Sequence, residues 1–206
     1  YKRQIRTRST LLGRIQVGEF SSIVGMIKRA QRTFGRLFTV SGVITAFRKS
    51  AVHQVDYWSP NMLTEDIDIT WKLQRAGWDI RFEPNALVWI LMPETLNGLW
   101  KQRLRWAMGG AQVLIKNIDV FTKPKLNFLW PLMFELCLTL VWSYLMLAMA
   151  LLWLVHFIFP VPALAVVSSP FLPYGTGILL GATCLIQFAL SKWMDSRYEP
   201  NLGKNY

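Results

Sequence analysis

The sequence predicts a mixed α/β domain followed by an amphipathic helix and two membrane-crossing helices. Three observations lead there. Charge is divided unevenly: residues 1–126 hold 20 Lys/Arg and 9 Asp/Glu, while residues 127–206 hold three of each. Between Lys125 and Lys192 the only formal charge is Glu135. In the first 126 residues, stretches with helical spacing alternate with short β-rich runs and Gly/Pro breaks.

The elements follow in order. Ile15, Phe20, Ile23, Val24 and Ile27 recur at helical spacing and predict a helix over residues 15–33. Residues 37–46, Leu-Phe-Thr-Val-Ser-Gly-Val-Ile-Thr-Ala, predict a strand. Its Ser41-Gly42 interruption suits a bend or a close approach of backbone to ligand. Thr64 is a good N-cap for a helix to about Arg75, with Gly77 at the C′ position. Residues 79–82 and 86–90 are short strand candidates. Residues 95–117 predict an amphipathic helix, broken at Gly109-Gly110. There Leu99, Trp100, Leu104, Trp106 and Met108 interleave with Lys101, Arg103 and Arg105, a composition suited to a membrane surface.

A spanning helix needs about 20 apolar residues. Residues 128–159 and 174–193 both qualify by length and composition. The segment between them carries Pro160, Pro162, Pro170 and Pro173, which break helices and mark an outer loop. Two spans return the chain to its starting side, so residues 1–126 and the tail from Asp195 are expected to be cytoplasmic. The expected division is residues 1–93 (catalytic α/β part), 94–126 (amphipathic interface segment) and 127–206 (membrane region and tail).

The net charge of +11 admits phosphate neutralisation on nucleic acid or the cytoplasmic flank of a membrane protein. The adjoining apolar segments favour the flank, with lipid and not nucleic acid as the partner. Cys137 and Cys184 lie inside those segments and form neither a metal spacing nor a disulfide framework. His53 and His156 have no partner in sequence and read as structural. The opening Tyr1-Lys2-Arg3 has no initiator Met and no signal peptide, so the chain reads as a fragment or a processed product.

Two clusters carry candidate chemistry. Glu65, Asp66 and Asp68 crowd a helix start. Taken alone, that is dipole complementarity; a general base would also have to face a cleft. Gln102, Arg103, Arg105 and Trp106 combine an amide, forked guanidinium donors suited to a diphosphate, and a flat face for a sugar ring. Taken alone, these residues make a basic interfacial helix. A capped carboxylate upstream and spans downstream shift the balance toward a site.

Thr64-Glu65-Asp66 and Gln102-x-x-Arg105-Trp106 resemble the paired motifs of processive family-two glycosyltransferases, the synthases of cellulose, chitin, hyaluronan and poly-N-acetylglucosamine. The strings at 39–50, 64–73, 89–106 and 195–199 are most similar to the poly-N-acetylglucosamine branch. The resemblance implies the C-terminal part of a nucleotide-sugar glycosyltransferase domain in the bacterial inner membrane. It implies inverting transfer from UDP-N-acetylglucosamine to a growing β-1,6-linked biofilm glycan. Asp66 would be the base. Thr64, Glu65, Gln102, Arg105 and Trp106 would bind substrate, with Arg103 at the motif's variable position and Ser41 and Gly42 near the acceptor. The family also implies Mg2+ or Mn2+, held by an upstream Asp-x-Asp. None precedes Tyr57, and Asp66-Ile-Asp68 belongs to the base motif, so no metal ligand is assigned. A small membrane partner and cyclic di-GMP control are implied by the Gram-negative members. Synthesis of another polysaccharide, or a non-catalytic basic membrane module, stays open on the residues.

Overall fold

Residues 11–33 wind as one continuous helical stretch, starting earlier than their apolar spacing suggests. The extra turn comes from Thr10, whose hydroxyl accepts from the Gly13 amide at 3.0 Å, satisfying one of the orphan donors of a helix start. A computed structural model describes residues 2–5, 10–86, 88–159 and 174–197. It divides into two units, residues 1–132 with 188–206, and residues 133–187.

In the first unit, helix α1 (Leu11–Phe20) passes through a wide π turn (Ser21–Ile27) into α2 (Lys28–Thr33). Val17, Phe20 and Val24 bury one face of this stretch against Leu37, Phe82 and Met92. The last turns of α7 (Tyr174–Ser196) pack here as well. A Cβ at Gly18 would lie 2.1 Å from the Phe188 ring, and the Ser191 hydroxyl reaches Ser22 at 3.3 Å. Glycine is therefore required at 18 for that ring to seat.

The run at 37–46 forms no strand and turns at Gly42-Val43, which corrects the expectation. Side chains, not a neighbouring strand, satisfy its backbone. Gln74 accepts from the Leu37 amide at 3.2 Å and donates to the Leu37 carbonyl at 2.9 Å. The Gln31 carboxamide accepts from Phe38 at 3.0 Å, and the Thr70 hydroxyl from Val40 at 2.9 Å. The buried Trp71 indole donates to the Phe38 carbonyl at 3.1 Å. A buried backbone group needs some partner, and here side chains of α2 and of the helix over residues 65–75 supply it.

Strand among the described residues is limited to β1 (Lys2–Ile5) and β2 (Val88–Ile90), paired in parallel with Ile5 opposite Ile90. The first had no sequence signal. Residues 79–82 form no strand. The described residues are thus mostly helical, and the expected α/β character rests on this one pair.

Helix α3 (Lys49–Gln54) leads to a turn in which Asp56 and Tyr57 both have left-handed backbone, with φ of 55° and 51°. Helix α4 (Glu65–Arg75) ends as expected, with Gly77 at φ +86°. Helix α5 (Leu96–Lys116) starts at Thr95, whose hydroxyl accepts from Gly98 at 3.1 Å. It runs unbroken through Gly109-Gly110, so the predicted break is wrong. Leu96, Trp100, Leu104 and Met108 stand exposed on it. Two short 3-10 turns (Ile118–Thr122 and Pro124–Leu129) follow.

Helix α6 (Trp130–Ile158) supplies much of the second unit. It is apolar all round, with Leu138, Val141, Leu145, Leu151 and Phe157 exposed, the pattern of a helix meant for an apolar surround. It is the one helix among the described residues that is long and apolar enough to cross a membrane. The expected outer loop, including its four prolines, lies outside the described residues.

Two consecutive left-handed non-glycine residues are costly, about 1–2 kcal/mol each by steric estimates. Asp56→Gly should therefore raise stability by about 0.5–1 kcal/mol after the added unfolded-state entropy of glycine. Thermal unfolding of the purified protein checks this; a lowered midpoint would show that Asp56 is not strained.

Candidate functional site

The site is built where α4 meets α5. Thr64 occupies the N-cap position of α4, but its side chain makes no capping bond, contrary to the expected role. Its hydroxyl is buried and has no hydrogen-bond partner among the described residues. The side chain is pressed onto Gly109 instead: a Cβ there would lie 2.3 Å from Thr64 Oγ1 and Cγ2. No real Cβ tolerates that distance, so α5 must carry glycine at this point. Gly109 is a packing device, and glycine inside a helical pattern was the sequence signal for it.

Polar contacts run along the same seam. The Leu63 amide donates to Gln112 Oε1 at 3.0 Å, and the Leu63 carbonyl accepts from Arg105 Nη1 at 3.0 Å. Further along, Lys116 Nζ reaches Asp68 Oδ1 at 2.6 Å and Ser59 Oγ at 3.0 Å. Past the end of α5, Arg75 forks onto Asp119 with both bonds at 2.7 Å and also donates to Asn117 at 3.1 Å. That fork holds the Asp119 carboxyl below the usual carboxylate range, with Lys123 assisting.

Asp66 begins α4 on a different side. Its carboxylate lies beside Gly42, where an added Cβ would meet Oδ2 at 3.5 Å. The Ile67 amide donates to Oδ1 at 2.9 Å. Burial pushes this carboxyl up from its ordinary value, and the neighbouring charge of Glu65 adds to the rise; the Ile67 amide and the charge of Lys28 pull the other way and lose. A carboxyl placed so is a better proton acceptor near neutral pH than an exposed one. Ser41 and Lys28 both line a cleft of about 880 Å³ whose wall continues through Thr45, Phe47, Arg48 and Trp78.

The remaining predicted residues divide. Arg105 is exposed and grips the Leu63 carbonyl, three residues before Asp66. Gln102 is half-buried, and its buried Oε1 has no hydrogen-bond partner among the described residues. Arg103 turns to α1, pairing both guanidinium nitrogens with the Glu19 carboxylate and lying 4.6 Å over the Trp106 ring. Trp106 meets Phe20 edge-on at 6.1 Å and packs against the Val17–Phe20–Val24 core. Glu65 is exposed. Among the described residues no hydrogen bond or ion pair joins Asp66 to Gln102, Arg105 or Trp106. The link between them is the Leu63-Thr64 segment, which α5 clamps.

Metal ligation does not fit these residues. Asp68 is fully buried in the α4–α5 seam, with Oδ1 paired to Lys116 and Oδ2 without a partner among the described residues. Among the described residues no group of three or more His, Cys, Asp or Glu converges. Reasoning from sequence missed Gly109, Gln112, Lys116 and Glu19, because each acts through a partner more than 40 residues away.

Comparison with known proteins supplies the context. The family model for glycosyl transferase family group 2 matches residues 2–183. A poly-beta-1,6-N-acetyl-D-glucosamine synthase of Staphylococcus epidermidis is 41% identical over 202 residues, covering 95% of this chain and 47% of the relative. Its namesake in Staphylococcus aureus is 49% identical over 144 residues, 70% of this chain and 35% of the relative. The chain thus spans about half the length of the first of these relatives. No solved structure matches it.

The raised carboxyl has a measurable consequence. A folded-state pKa above the unfolded one means that folding favours the protonated form. The ionised carboxylate therefore costs stability at neutral pH, and the cost is relieved as pH falls through the raised value toward the ordinary range. Asp66→Asn should melt higher than the wild type at pH 7, with the gap closing on acidification. Equal midpoints at pH 7, or a gap widening toward acid, would refute the desolvated carboxyl.

Proposed function

The chain belongs to glycosyl transferase family group 2, and from that premise we propose that the whole protein is a processive, inverting N-acetylglucosaminyltransferase. It polymerises N-acetylglucosamine from UDP-N-acetylglucosamine into a β-1,6-linked exopolysaccharide of the kind that builds biofilms. The observation that carries the reading is Asp66, a half-buried carboxylate of raised proton affinity beside Gly42. The substrate class rests on the likeness to the staphylococcal synthases.

The chemistry follows from these groups. Asp66 takes the proton of the acceptor 6-hydroxyl. The freed oxygen attacks C1 of the donor sugar from the face opposite the diphosphate, so the C1–O bond to UDP breaks with inversion. Arg105 stabilises the charge left on the diphosphate through the guanidinium nitrogens not used on Leu63. Gln102, whose buried Oε1 has no hydrogen-bond partner among the described residues, would turn that oxygen to a substrate hydroxyl or amide. Trp106, backed by Phe20 and Arg103, floors the acceptor sugar, Glu65 and Ser41 complete the surround, and Thr64, buried against Gly109, supports them from behind. The divalent ion that the family implies would be held by residues outside those described.

The membrane setting is part of the proposal. Helices α6 and α7 both span a bacterial inner membrane, with residues 1–126 on the cytoplasmic side, where Lys and Arg accumulate. Residues 94–126 form the interface segment, with the exposed apolar face of α5 on the lipid. A small membrane subunit and cyclic di-GMP are further proposed partners.

In a full-length synthase carrying these residues, Asp66→Asn should abolish polymer formation, by about 10²-fold or more, while membrane insertion stays normal. Incorporation of labelled UDP-N-acetylglucosamine, followed by digestion with linkage-specific hydrolases, reads both the activity and the bond. Normal polymer yield from the mutant would remove Asp66 from the base role. Arg105→Lys keeps the charge but loses the planar fork, so kcat/KM should fall about tenfold or more. Wild-type kinetics would exclude the diphosphate contact.

A further inference from the structure

We propose that Trp58, on the turn leading into α4, is a stacking platform for a sugar unit of the acceptor glycan; the assignment rests on the function proposed above and names a subsite of it. Trp58 is 42% exposed and its neighbour Tyr57 45%. An exposed indole on a loop is ordinarily free to move. This one is fixed from three sides.

Backbone geometry provides the first restraint. Asp56 and Tyr57 are both left-handed, a conformation that persists only where surroundings enforce it. Lys72 of α4 enforces it by donating to the Tyr57 carbonyl at 2.6 Å and the Asp56 carbonyl at 3.4 Å. The Tyr57 amide also returns to the Val52 carbonyl of α3 at 3.0 Å. Lys116 of α5 provides the second restraint by donating to Ser59 Oγ at 3.0 Å. Phe47 provides the third, meeting the indole edge-on at 5.4 Å and 86°.

Phe47 also lines the 880 Å³ cleft that contains Ser41, and Ser41 adjoins Gly42 beside Asp66. The indole thus packs against one residue of the cleft wall, Phe47, and the proton acceptor lies beside Gly42, the chain neighbour of another, Ser41. A costly turn held by two lysines from two helices keeps an aromatic face pre-positioned on the solvent side. The alternating C–H groups of a β-linked N-acetylhexosamine match such a face, while its hydroxyls and acetamide need polar neighbours. Ser59, next in the chain and bonded to Lys116, and His53, whose ring meets Tyr57 edge-on at 6.1 Å, provide them. One indole and one phenol are too small an apolar area for a stable protein interface.

The test uses the full-length synthase in membranes, with UDP-N-acetylglucosamine as donor and a β-1,6-linked N-acetylglucosamine tetramer as acceptor. Trp58→Ala should raise the apparent KM for the tetramer about tenfold, with the donor KM changed by less than about twofold. Trp58→Phe should recover most of the loss. Trp58→Leu keeps an apolar contact to Phe47 but has no π face, so it should behave as Ala does even if Ala destabilises the turn. An unchanged acceptor KM in Trp58→Leu, an equal rise in donor KM, or no recovery with Phe overturns the platform. A wild-type enzyme that incorporates no sugar sinks the underlying function instead, so the two failures are distinguishable.

Discussion

Everything at the candidate site depends on how closely α5 can approach the start of α4. Glycine at 109 permits Thr64 to sit against the α5 backbone, a separation that any side chain would forbid. Once the helices are that near, Arg105 and Gln112 reach the carbonyl and amide of Leu63, and Lys116 reaches the buried Asp68. A lysine on a fully buried carboxylate is worth little as net stability, because desolvation offsets much of the attraction. It is strongly directional, however, and fixes the register of one helix against the other. The same lysine holds Ser59, so the turn before α4 is placed by the same contact.

With α4 fixed, the irregular segment at 37–46 is fixed too. Gln74 and Thr70 serve as its hydrogen-bonding partners, and this brings Gly42 beside Asp66. The carboxyl thus loses water without gaining a cation in direct contact. Its proton affinity rises for that reason, at a cost in stability that the rest of the α4 seam offsets. A residue that weakens the fold in order to hold a proton is a common signature of a working site.

The apolar second unit and the basic first unit divide the labour of a membrane enzyme in the proposed reading. Helix α6 is exposed and apolar around its circumference, which suits lipid, whereas the charge of the first 126 residues suits an anionic donor and an anionic leaflet. Arg103 contributes to neither: it ties α5 to α1 through Glu19 and braces Trp106.

Local chemistry made several features readable in the sequence. The limits of α4 with Gly77 behind it, the span of α5 and the apolar length of α6 all depend on neighbours within a few residues, which caps, periodicity and composition report directly. The family motifs likewise stood in plain order along the chain. Only the tertiary structure decided what those residues touch. Residues 37–46 have strand composition, yet helix side chains satisfy their backbone; Thr64 has a cap's chemistry, yet it packs on Gly109; Trp106 and Arg103 share a motif with Arg105 and face another helix. Most of these outcomes turn on a partner 30 or more positions away. Propensity carries no information about such a partner, because one side chain satisfies a buried donor as well as another does, whatever its place in the sequence.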